Sequence, residues 1–317
     1  MTEPAKLEPV LHHYPVSPFA EKARLMLGFK RLAWKSVQIP LIMPKPDVVA
    51  LTGGYRRTPI LQVGADIYCD TALIARVLEE LAPAPSFFPR GDSYALQAAA
   101  QFADTTLFWN TVPVGFTPGT GMMKIFFKDA APEYLAAFGK DRSAYRGSSR
   151  RGPAHECKAN LAGLLPRIEA QLATPFLFGT EPCYADFSLY HALWPLWLPE
   201  DLRPMFAPYP RTLAFMERMT AFGHGKPAEI TSADALQIAS AATPLPVKNP
   251  AALETNGIAL GAQASVMPID TGLDPVVGEL MTASADEIVV RRADPRAGTV
   301  HVHFPRFGYQ LNSPSLN

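Results

Sequence analysis

The order in which apolar patterns change along the first part of the chain most limits the folds that this sequence can adopt. Between about residues 8 and 85, short apolar runs alternate with amphipathic stretches in the order strand, helix, strand, irregular segment, hairpin, helix. The first helix is predicted to begin at Ser17-Pro18 and to end at Gly28 as a left-handed cap. Its charged residues are expected to point outward: Glu21, Lys22 and Arg24. This order predicts an α/β domain.

Two further changes in pattern divide the rest of the chain. From about 92 to 230 the sequence has apolar residues at helical spacing. A proline-rich linker follows near Ala242, and the strand-like runs beyond it, about 60 residues, predict a small sandwich or barrel that docks on its neighbours. The fold class is therefore α+β and multidomain, with an α/β N-terminal domain, an all-α middle domain and a small all-β C-terminal domain. The predicted boundaries are 1–90, 91–240 and 241–317, the last range including the linker.

Composition and charge exclude several classes of protein. Lys plus Arg and Asp plus Glu number 29 each, so the chain lacks the basic excess expected of a nucleic-acid-binding protein. The segment MTEPAKLEP lacks the apolar core of a signal peptide, and no run of about 18 apolar residues predicts a membrane span. Cys69, Cys157 and Cys183 are too few and too scattered for a disulfide framework or a zinc site. We therefore expect a cytoplasmic protein without a bound metal, nucleic acid or membrane.

The junction HHYPVSPFAEKARLMLG places a serine between a predicted strand and a predicted helix. A serine in this position caps the helix by accepting a hydrogen bond from a backbone N–H, which stabilises a helix by about 1 kcal/mol. Such a cap is sufficient to explain Ser17. The same pattern predicts a packed aromatic side chain for Tyr14 and strand positions without a chemical role for His12 and His13. A catalytic use of the Ser17 hydroxyl is the alternative that the local pattern leaves open.

Three stretches of the chain resemble the cytosolic glutathione transferase family. They are YPVSPFAEKARLML, TPILQVGADIYCDTALIARVLEEL and FLFGTEPCYADFSL, in the order and with the spacing of that family. The resemblance covers about the first 230 residues and implies a thioredoxin-like domain followed by an all-helical domain, but it does not explain about the last 75. It implies a homodimeric enzyme that activates the thiol of its co-substrate glutathione for attack on a small hydrophobic electrophile. The alternative is a glutathione-binding or scaffold protein that retains the fold without transfer activity.

The thiol of glutathione must be ionised before it attacks an electrophile. A thiol with a pKa near 8.5 is only about 3% thiolate at pH 7, and lowering that pKa by about two units requires about 2.7 kcal/mol of anion stabilisation. One charge-assisted hydrogen bond together with the positive end of a helix supplies an energy of this order. The resemblance implies that Ser17 is the activating residue of a serine-type member. Tyr14 is the alternative, because some classes use a tyrosine near the end of the first strand.

The resemblance also implies which residues hold the tripeptide. Thr58-Pro59 corresponds to a cis-proline turn whose backbone pairs with the cysteinyl backbone. Asp70-Thr71 corresponds to the pair that binds the γ-glutamyl end, since a carboxylate attracts the α-amino group and a helix N-terminus attracts the α-carboxylate. The glycyl carboxylate needs a cation from the segment before the proline, where the first candidate and its two alternatives are Lys45, Arg56 and Arg57.

Aromatic side chains between the two domains are expected to line the site for the electrophile. The candidates are Phe19, Phe108 and Trp109. In the stretch CYADFS, Cys183 replaces the hydroxyl residue of the family's helix-capping box. Asp186 can still accept a hydrogen bond from the Cys183 N–H, while the reciprocal bond is weakened. We expect this feature to affect stability and not catalysis.

Two further groups of residues have weaker interpretations. His301 and His303 share one face of a predicted strand, but the sequence offers no evident third metal ligand, so they are expected to be an exposed pair. The basic residues from Arg142 to Arg151 are expected to lie in a mobile, solvated loop. Neither group is assigned a function.

Overall fold

The computed structural model describes residues 8–127, 130–147, 151–248 and 250–314. The N-terminal region has its strands and helices in the predicted order, with a short helix in the segment predicted to be irregular. Its elements are β1 (Val10–His13), α1 (Pro18–Phe29), β2 (Ala33–Gln38), α2 (Pro46–Thr52), β3 (Ile60–Val63), β4 (Asp66–Cys69) and α3 (Thr71–Leu81). The prediction of an α/β N-terminal domain is therefore confirmed.

The middle of the chain is helical, as predicted. Its helices are α4 (Tyr94–Phe102), α5 (Phe108–Gly115), α6 (Gly121–Phe127), α7 (Pro132–Arg146), α8 (Ala154–Gln171), α9 (Tyr184–Trp197) and α10 (Pro210–Thr220). A π-helical turn (Ala103–Leu107) joins α4 to α5, and a 3-10 turn (Arg203–Phe206) precedes α10. Among the residues that the structure describes, no helix combines the length and the apolarity needed to cross a bilayer.

The expectation of a mobile, solvated basic loop is wrong for the part of it that lies in α7. Arg142 and Arg146 are in this helix, which has a proline in its first turn and ends before Gly147. The guanidinium of Arg142 is held by the carboxylate of Asp141 at 2.5 Å and donates to the carbonyl oxygen of Leu41 at 3.1 Å. These bonds fix the side chain against the N-terminal domain. Arg150 lies outside the described residues.

The last part of the chain is rich in strands, which confirms the fold class. Its elements are β5 (Lys226–Glu229), α11 (Ser232–Ala241), β6 (Gln263–Pro268), β7 (Val276–Ala283), β8 (Glu287–Asp294), β9 (Gly298–Pro305) and β10 (Tyr309–Asn312). These strands do not close into a sandwich or barrel, so that expectation is wrong. In the part of the chain that the structure describes, the strands form one ten-stranded sheet in the order β10-β6-β7-β8-β9-β4-β3-β1-β2-β5.

The C-terminal strands join the N-terminal sheet through one parallel pair. In this pair, β9 lies beside β4, with His301 opposite Asp66 and His303 opposite Tyr68. The free edge of a sheet presents unpaired N–H and C=O groups, and β9 satisfies those of β4. The C-terminal region (β6–β10, called the extension below) therefore docks on its neighbour, as predicted, but by continuing the neighbour's sheet.

Two hydrophobic cores lie against the sheet. One contains Leu11 and Leu61 together with α1, α3 and the helices of the middle region. The other contains Val10 and Ile60 together with α2, α11 and the inward side chains of the extension. Side chains of successive residues in a strand point to opposite faces of the sheet, so each strand contributes alternate side chains to the two cores.

The expectation that the charged residues of α1 point into solvent is wrong. Glu21, Lys22 and Arg24 are all buried, because α1 packs against α9 as well as against α3. The buried charges are paired, as burial of a charge requires. Lys22 Nζ lies 2.8 Å from Asp104 Oδ2 and also donates to the Tyr184 hydroxyl at 2.8 Å. Arg24 forms a 2.7 Å ion pair with Glu21.

The expectation that Gly28 is a left-handed cap is also wrong. This residue lies inside α1, which continues to Phe29 and is capped by Lys30. A side chain at Gly28 would collide with the backbone oxygen of Gly223. The glycine is therefore required by the close approach of the chain after α10 and not by the end of the helix.

Candidate functional site

The candidate site lies at one end of three neighbouring strands. β1 and β4 both run antiparallel to β3, so the ends of β1 and β4 lie beside the start of β3. In the register of the sheet, Ile60 is opposite both His12 and Cys69. The structure therefore brings together the segments that carry Ser17, Thr58-Pro59 and Asp70-Thr71. The Thr58–Pro59 peptide bond is cis, which confirms that prediction.

Ser17 is the N-cap residue of α1. Its Oγ accepts a hydrogen bond from the backbone N–H of Ala20 at 3.2 Å, and the residue is only 4% exposed. The prediction of a capping serine is confirmed. This bond uses a lone pair of the oxygen, so the hydroxyl proton remains able to donate elsewhere.

Tyr14 lies beside this cap. Burial raises the pKa of the Tyr14 phenol above its ordinary value, while Arg142, partly through a hydrogen bond, and a hydrogen bond with Ser17 act in the opposite direction. The phenol is therefore a neutral donor at physiological pH. Arg142 had been predicted to lie in a solvated loop, and the only sequence signal for its place at the site was the basic run itself.

Lys45 is the predicted cation whose surroundings best suit a ligand carboxylate. Its side chain is buried, and its Nζ donates to Thr58 Oγ1 at 3.4 Å and lies 5.4 Å from the centre of the Tyr14 ring. Burial, which has the largest effect, and the neighbouring positive charges of Arg142 and Arg56 together lower the pKa of Lys45 to about 8, against the opposing effect of Asp141. The ammonium group is thus held beside the cis-proline turn and remains mostly charged at neutral pH.

The two alternative cations have partners of their own. Arg56 forms a 2.8 Å ion pair with Asp141 of α7. Arg57 forms an ion pair with Asp270 and donates twice to the carbonyl oxygen of Thr271, at 2.8 and 3.1 Å. Both arginines therefore tie the segment before Pro59 to other parts of the protein, whereas the side chain of Lys45 has, among the described residues, only a long hydrogen bond to Thr58.

Asp70 is the N-cap of α3 and adopts a left-handed backbone conformation, with φ of 77°. Non-glycine residues rarely adopt this conformation, and it is concentrated at functional sites. One carboxylate oxygen accepts from the Ala72 N–H at 3.0 Å. The other accepts from the hydroxyl of Tyr309 at 3.1 Å, which itself lies 2.8 Å from the hydroxyl of Tyr55. Because Tyr309 belongs to β10, the extension contributes directly to the site.

The three predicted aromatic residues lie in one cluster between the domains. The ring centres of Phe19 and Phe108 are 4.9 Å apart, and those of Phe108 and Trp109 are 4.7 Å apart. Phe108 is buried in the core, whereas Trp109 lines an open cavity of about 370 Å³. The other wall of this cavity includes Asp270 and Thr271 of the loop after β6. Sequence reasoning missed this contribution, because it treated the extension as a separate unit.

Two predictions outside the site are also settled by the structure. The N–H of Cys183 donates to Asp186 Oδ2 at 2.8 Å, so this half of the capping box is confirmed. The expectation of an exposed histidine pair is wrong, because His301 and His303 are only 6% and 7% exposed and lie beside the buried Asp66. The pairing of β9 with β4 supplies this third residue.

Comparisons with known proteins agree with this architecture. A family model described as the glutathione S-transferase N-terminal domain matches residues 11–86, and one described as the C-terminal domain of the same family matches residues 150–218. A GST-like protein from Pseudomonas syringae is 42% identical, with a TM-score of 0.81, and the match covers 96% of this chain and 99% of that chain. No match was found among curated proteins.

More distant solved structures share the fold of the first two regions. A glutathione transferase from Phanerochaete chrysosporium is 18% identical with a TM-score of 0.54, and the match covers 68% of this chain and 98% of that one. A glutathione S-transferase III is 21% identical with a TM-score of 0.51, covering 68% of this chain and 92% of that one. Of these three matches, the one to the Pseudomonas syringae protein is long enough to include the extension. The chain belongs to the glutathione S-transferase family, in a GST-like form that carries additional C-terminal strands.

Proposed function

We propose that this protein is a glutathione transferase-like enzyme that activates the glutathione thiol for attack on a small hydrophobic electrophile. The observation that carries the proposal is the convergence of a helix-capping serine, a cis-proline turn and an acidic residue before a second helix at one end of the neighbouring strands β1, β3 and β4. A cavity lined by Trp109 opens nearby, between the helical region and the loop after β6. This combination offers both a tripeptide site and a space for a second substrate.

The tripeptide is proposed to bind across this end of β1, β3 and β4. The backbone of Thr58 pairs with the cysteinyl residue, in the manner of an added strand. The carboxylate of Asp70 attracts the α-amino group, while the N-terminus of α3 at Thr71 attracts the α-carboxylate of the γ-glutamyl residue. The ammonium of Lys45 binds the glycyl carboxylate, which is supported by its burial and its place beside the cis-proline turn.

The proposed activation of the thiol uses the start of α1. The Ser17 oxygen accepts from the Ala20 N–H, so its O–H can donate a hydrogen bond to the sulfur when the thiol releases its proton to solvent. The positive end of α1 stabilises the same negative charge. Lowering the thiol pKa by about two units requires about 2.7 kcal/mol, and these two interactions together supply an energy of this order. Tyr14 is the alternative donor, since its raised pKa keeps the phenol protonated.

The electrophile is proposed to enter the cavity beside Trp109. The thiolate lone pair forms a bond to an electrophilic carbon, and the leaving group departs with the bonding electrons. Trp109 offers an apolar contact for the electrophile, and polar side chains that include Asp270 and Thr271 line the rest of the cavity. A volume of about 370 Å³ suits a small molecule and not a macromolecule.

Two measurements on the wild-type protein test this proposal. Calorimetry measures glutathione binding, and a panel of small electrophiles measures transfer. The proposal expects both binding and turnover. Binding without turnover on any electrophile would favour the non-catalytic binding or scaffold alternative, and the absence of binding would refute both.

We also propose that the protein is a cytoplasmic homodimer, as the family resemblance implies. Tyr94 and Phe102 of α4 are 89% and 47% exposed, and exposed aromatic residues of this kind often mark an interface. Sedimentation of the full chain should show a dimer that dissociates when Phe102 is replaced by glutamate. A wild-type monomer at all concentrations would contradict this proposal.

A further inference from the structure

Three potential metal-binding side chains meet where the extension joins the N-terminal domain. Asp66 is at the start of β4, and His301 and His303 are on the neighbouring strand β9. The three side chains are 1%, 7% and 9% exposed, and one donor atom from each lies within 4.8 Å of the other two. The cluster is created by the pairing of β4 with β9 and belongs to neither region alone.

The carboxylate of Asp66 is oriented by the backbone. Its Oδ2 accepts a hydrogen bond from the N–H of Leu245 at 2.9 Å, which leaves Oδ1 facing the two imidazoles. Oδ1 lies 3.0 Å from Nε2 of His303 and 3.7 Å from Nδ1 of His301. All three atoms therefore face a common point.

The far side of the His303 ring has a carboxylate partner. Its Nδ1 lies 3.3 Å from Oε2 of Glu287 on β8. Metal-binding histidines usually donate the N–H that does not face the metal to a carboxylate or a carbonyl group, which fixes the tautomer that presents a lone pair to the ion. His303 has this arrangement, because Glu287 contacts its Nδ1 while its Nε2 faces Asp66.

His301 provides the observation that an ion pair alone does not explain. Its Nδ1 is buried and has no hydrogen-bond partner among the residues that the structure describes. A buried polar atom without a partner is unfavourable and rare. A simple Asp66–His303–Glu287 ion pair would leave this nitrogen unsatisfied, whereas a cation at the common point would bind it.

We propose that Asp66, His301 and His303 bind a zinc ion through Oδ1, Nδ1 and Nε2 respectively. Two imidazole nitrogens and one carboxylate oxygen are a ligand set that zinc accepts, with a fourth position for water. Tetrahedral bonds of about 2.0–2.1 Å place neighbouring donors about 3.4 Å apart, and the two distances to Asp66 Oδ1 lie on either side of this value.

Zinc binding has a structural consequence at this position. The ion would link β4 of the N-terminal domain to β9 of the extension, beside the strand pair that joins them. Arg291, which lies opposite His301 on β8, forms a 2.6 Å ion pair with Glu279, so the repulsion between its positive charge and a bound zinc ion is reduced. We therefore expect zinc to stabilise the attachment of the extension, independently of transferase activity.

The test uses the full-length protein, stripped with a chelator and then dialysed against a zinc-buffered solution. Elemental analysis should find one zinc ion per chain, and calorimetric titration with zinc chloride should give a single strong site. Differential scanning calorimetry should show a higher Tm with zinc than without it.

Three variants separate this site from adventitious binding. His301→Gln removes the Nδ1 atom that has no hydrogen-bond partner among the described residues, so it should weaken zinc binding at least 100-fold, and its Tm should rise less with zinc than that of the wild type. Glu287→Gln removes the carboxylate that fixes the tautomer of His303, so it should weaken zinc binding about 10–100-fold. His155→Gln, which removes an exposed histidine, is the control and should bind as the wild type does. A wild type without stoichiometric zinc, or equal zinc affinity in wild type and both site variants, would overturn the proposal.

Discussion

Replacement of Ser17 by alanine should separate the two uses of its hydroxyl. The Oγ atom accepts the Ala20 N–H at 3.2 Å, and loss of such a cap costs about 1 kcal/mol of folding stability. In a chain of 317 residues, that loss lowers the Tm by about 1.5 °C. The same substitution removes the proposed donor to the thiolate, and a hydrogen bond to a charged group contributes about 1.5–3 kcal/mol. At about 1.4 kcal/mol per factor of ten, kcat/KM should fall about 10–150-fold.

Ser93→Ala is the matched control for this substitution. Ser93 caps α4 in the same way, with its Oγ accepting the Leu96 N–H at 3.3 Å, but it lies in the helical region. This variant should lose similar stability and keep wild-type kinetics. The assay is steady-state transfer to the best electrophile of the panel, with glutathione affinity measured by calorimetry. If Ser17→Ala retains the kcat/KM of Ser93→Ala, the serine is only a cap, and a loss in Tyr14→Phe would then assign the donor to the tyrosine.

Three further predictions concern the tripeptide site and the helical domain. Lys45→Met should weaken glutathione binding about 10–100-fold, because a charge-assisted bond is lost. The pKa of Lys45 is lowered to about 8, and only its protonated form attracts a carboxylate. The affinity of the wild type for glutathione should therefore fall as the pH rises above 8. Calorimetry at several pH values should show a smaller change of affinity in Lys45→Met. Tyr309→Phe removes a donor to Asp70 and should raise the glutathione Kd about fivefold; an unchanged Kd would exclude the extension from this site. Asp186→Asn disrupts the 2.8 Å hydrogen bond from the Cys183 N–H and should lower the free energy of unfolding by about 1–3 kcal/mol, measured by denaturant titration. The kcat should not change. A lower kcat would show that Asp186 has more than a structural role.

The strands and helices could be predicted from the sequence because their signals are local. Proline after Ser17, the apolar spacing of the helices and the alternation in TVHVHF all act within a few residues. The cis-proline turn and the capping aspartate Asp186 were predicted because the resemblance to a family supplied the context that a single dipeptide lacks.

The pairing of the C-terminal strands could not be predicted in the same way. Alternation in a strand shows which side chains share a face, but it does not identify the neighbouring strand. Without the pairing of β9 with β4, neither the contact of Tyr309 with Asp70 nor the meeting of His301 with Asp66 could be foreseen. Both depend on residues that are far apart in the chain.

The charged face of α1 shows a second limit of sequence patterns. Lys22 has the spacing of a solvent-exposed residue, yet its side chain is fully buried because the helical domain covers it. Its partner Asp104 lies in a π-helical turn, which no periodicity indicated. A pattern of polar residues thus predicts which side of a helix faces away from its own sheet, and a second domain can cover that side.

The pKa of the glutathione thiol bound to the wild-type protein tests the central claim most directly. It can be measured by following the ultraviolet absorbance of the thiolate during a pH titration of the complex. Activation by the Ser17 hydroxyl and the start of α1 predicts a pKa about two units below the ordinary value of about 8.5. A bound thiol that titrates near about 8.5, as it does in water, would contradict the claim that this site activates glutathione.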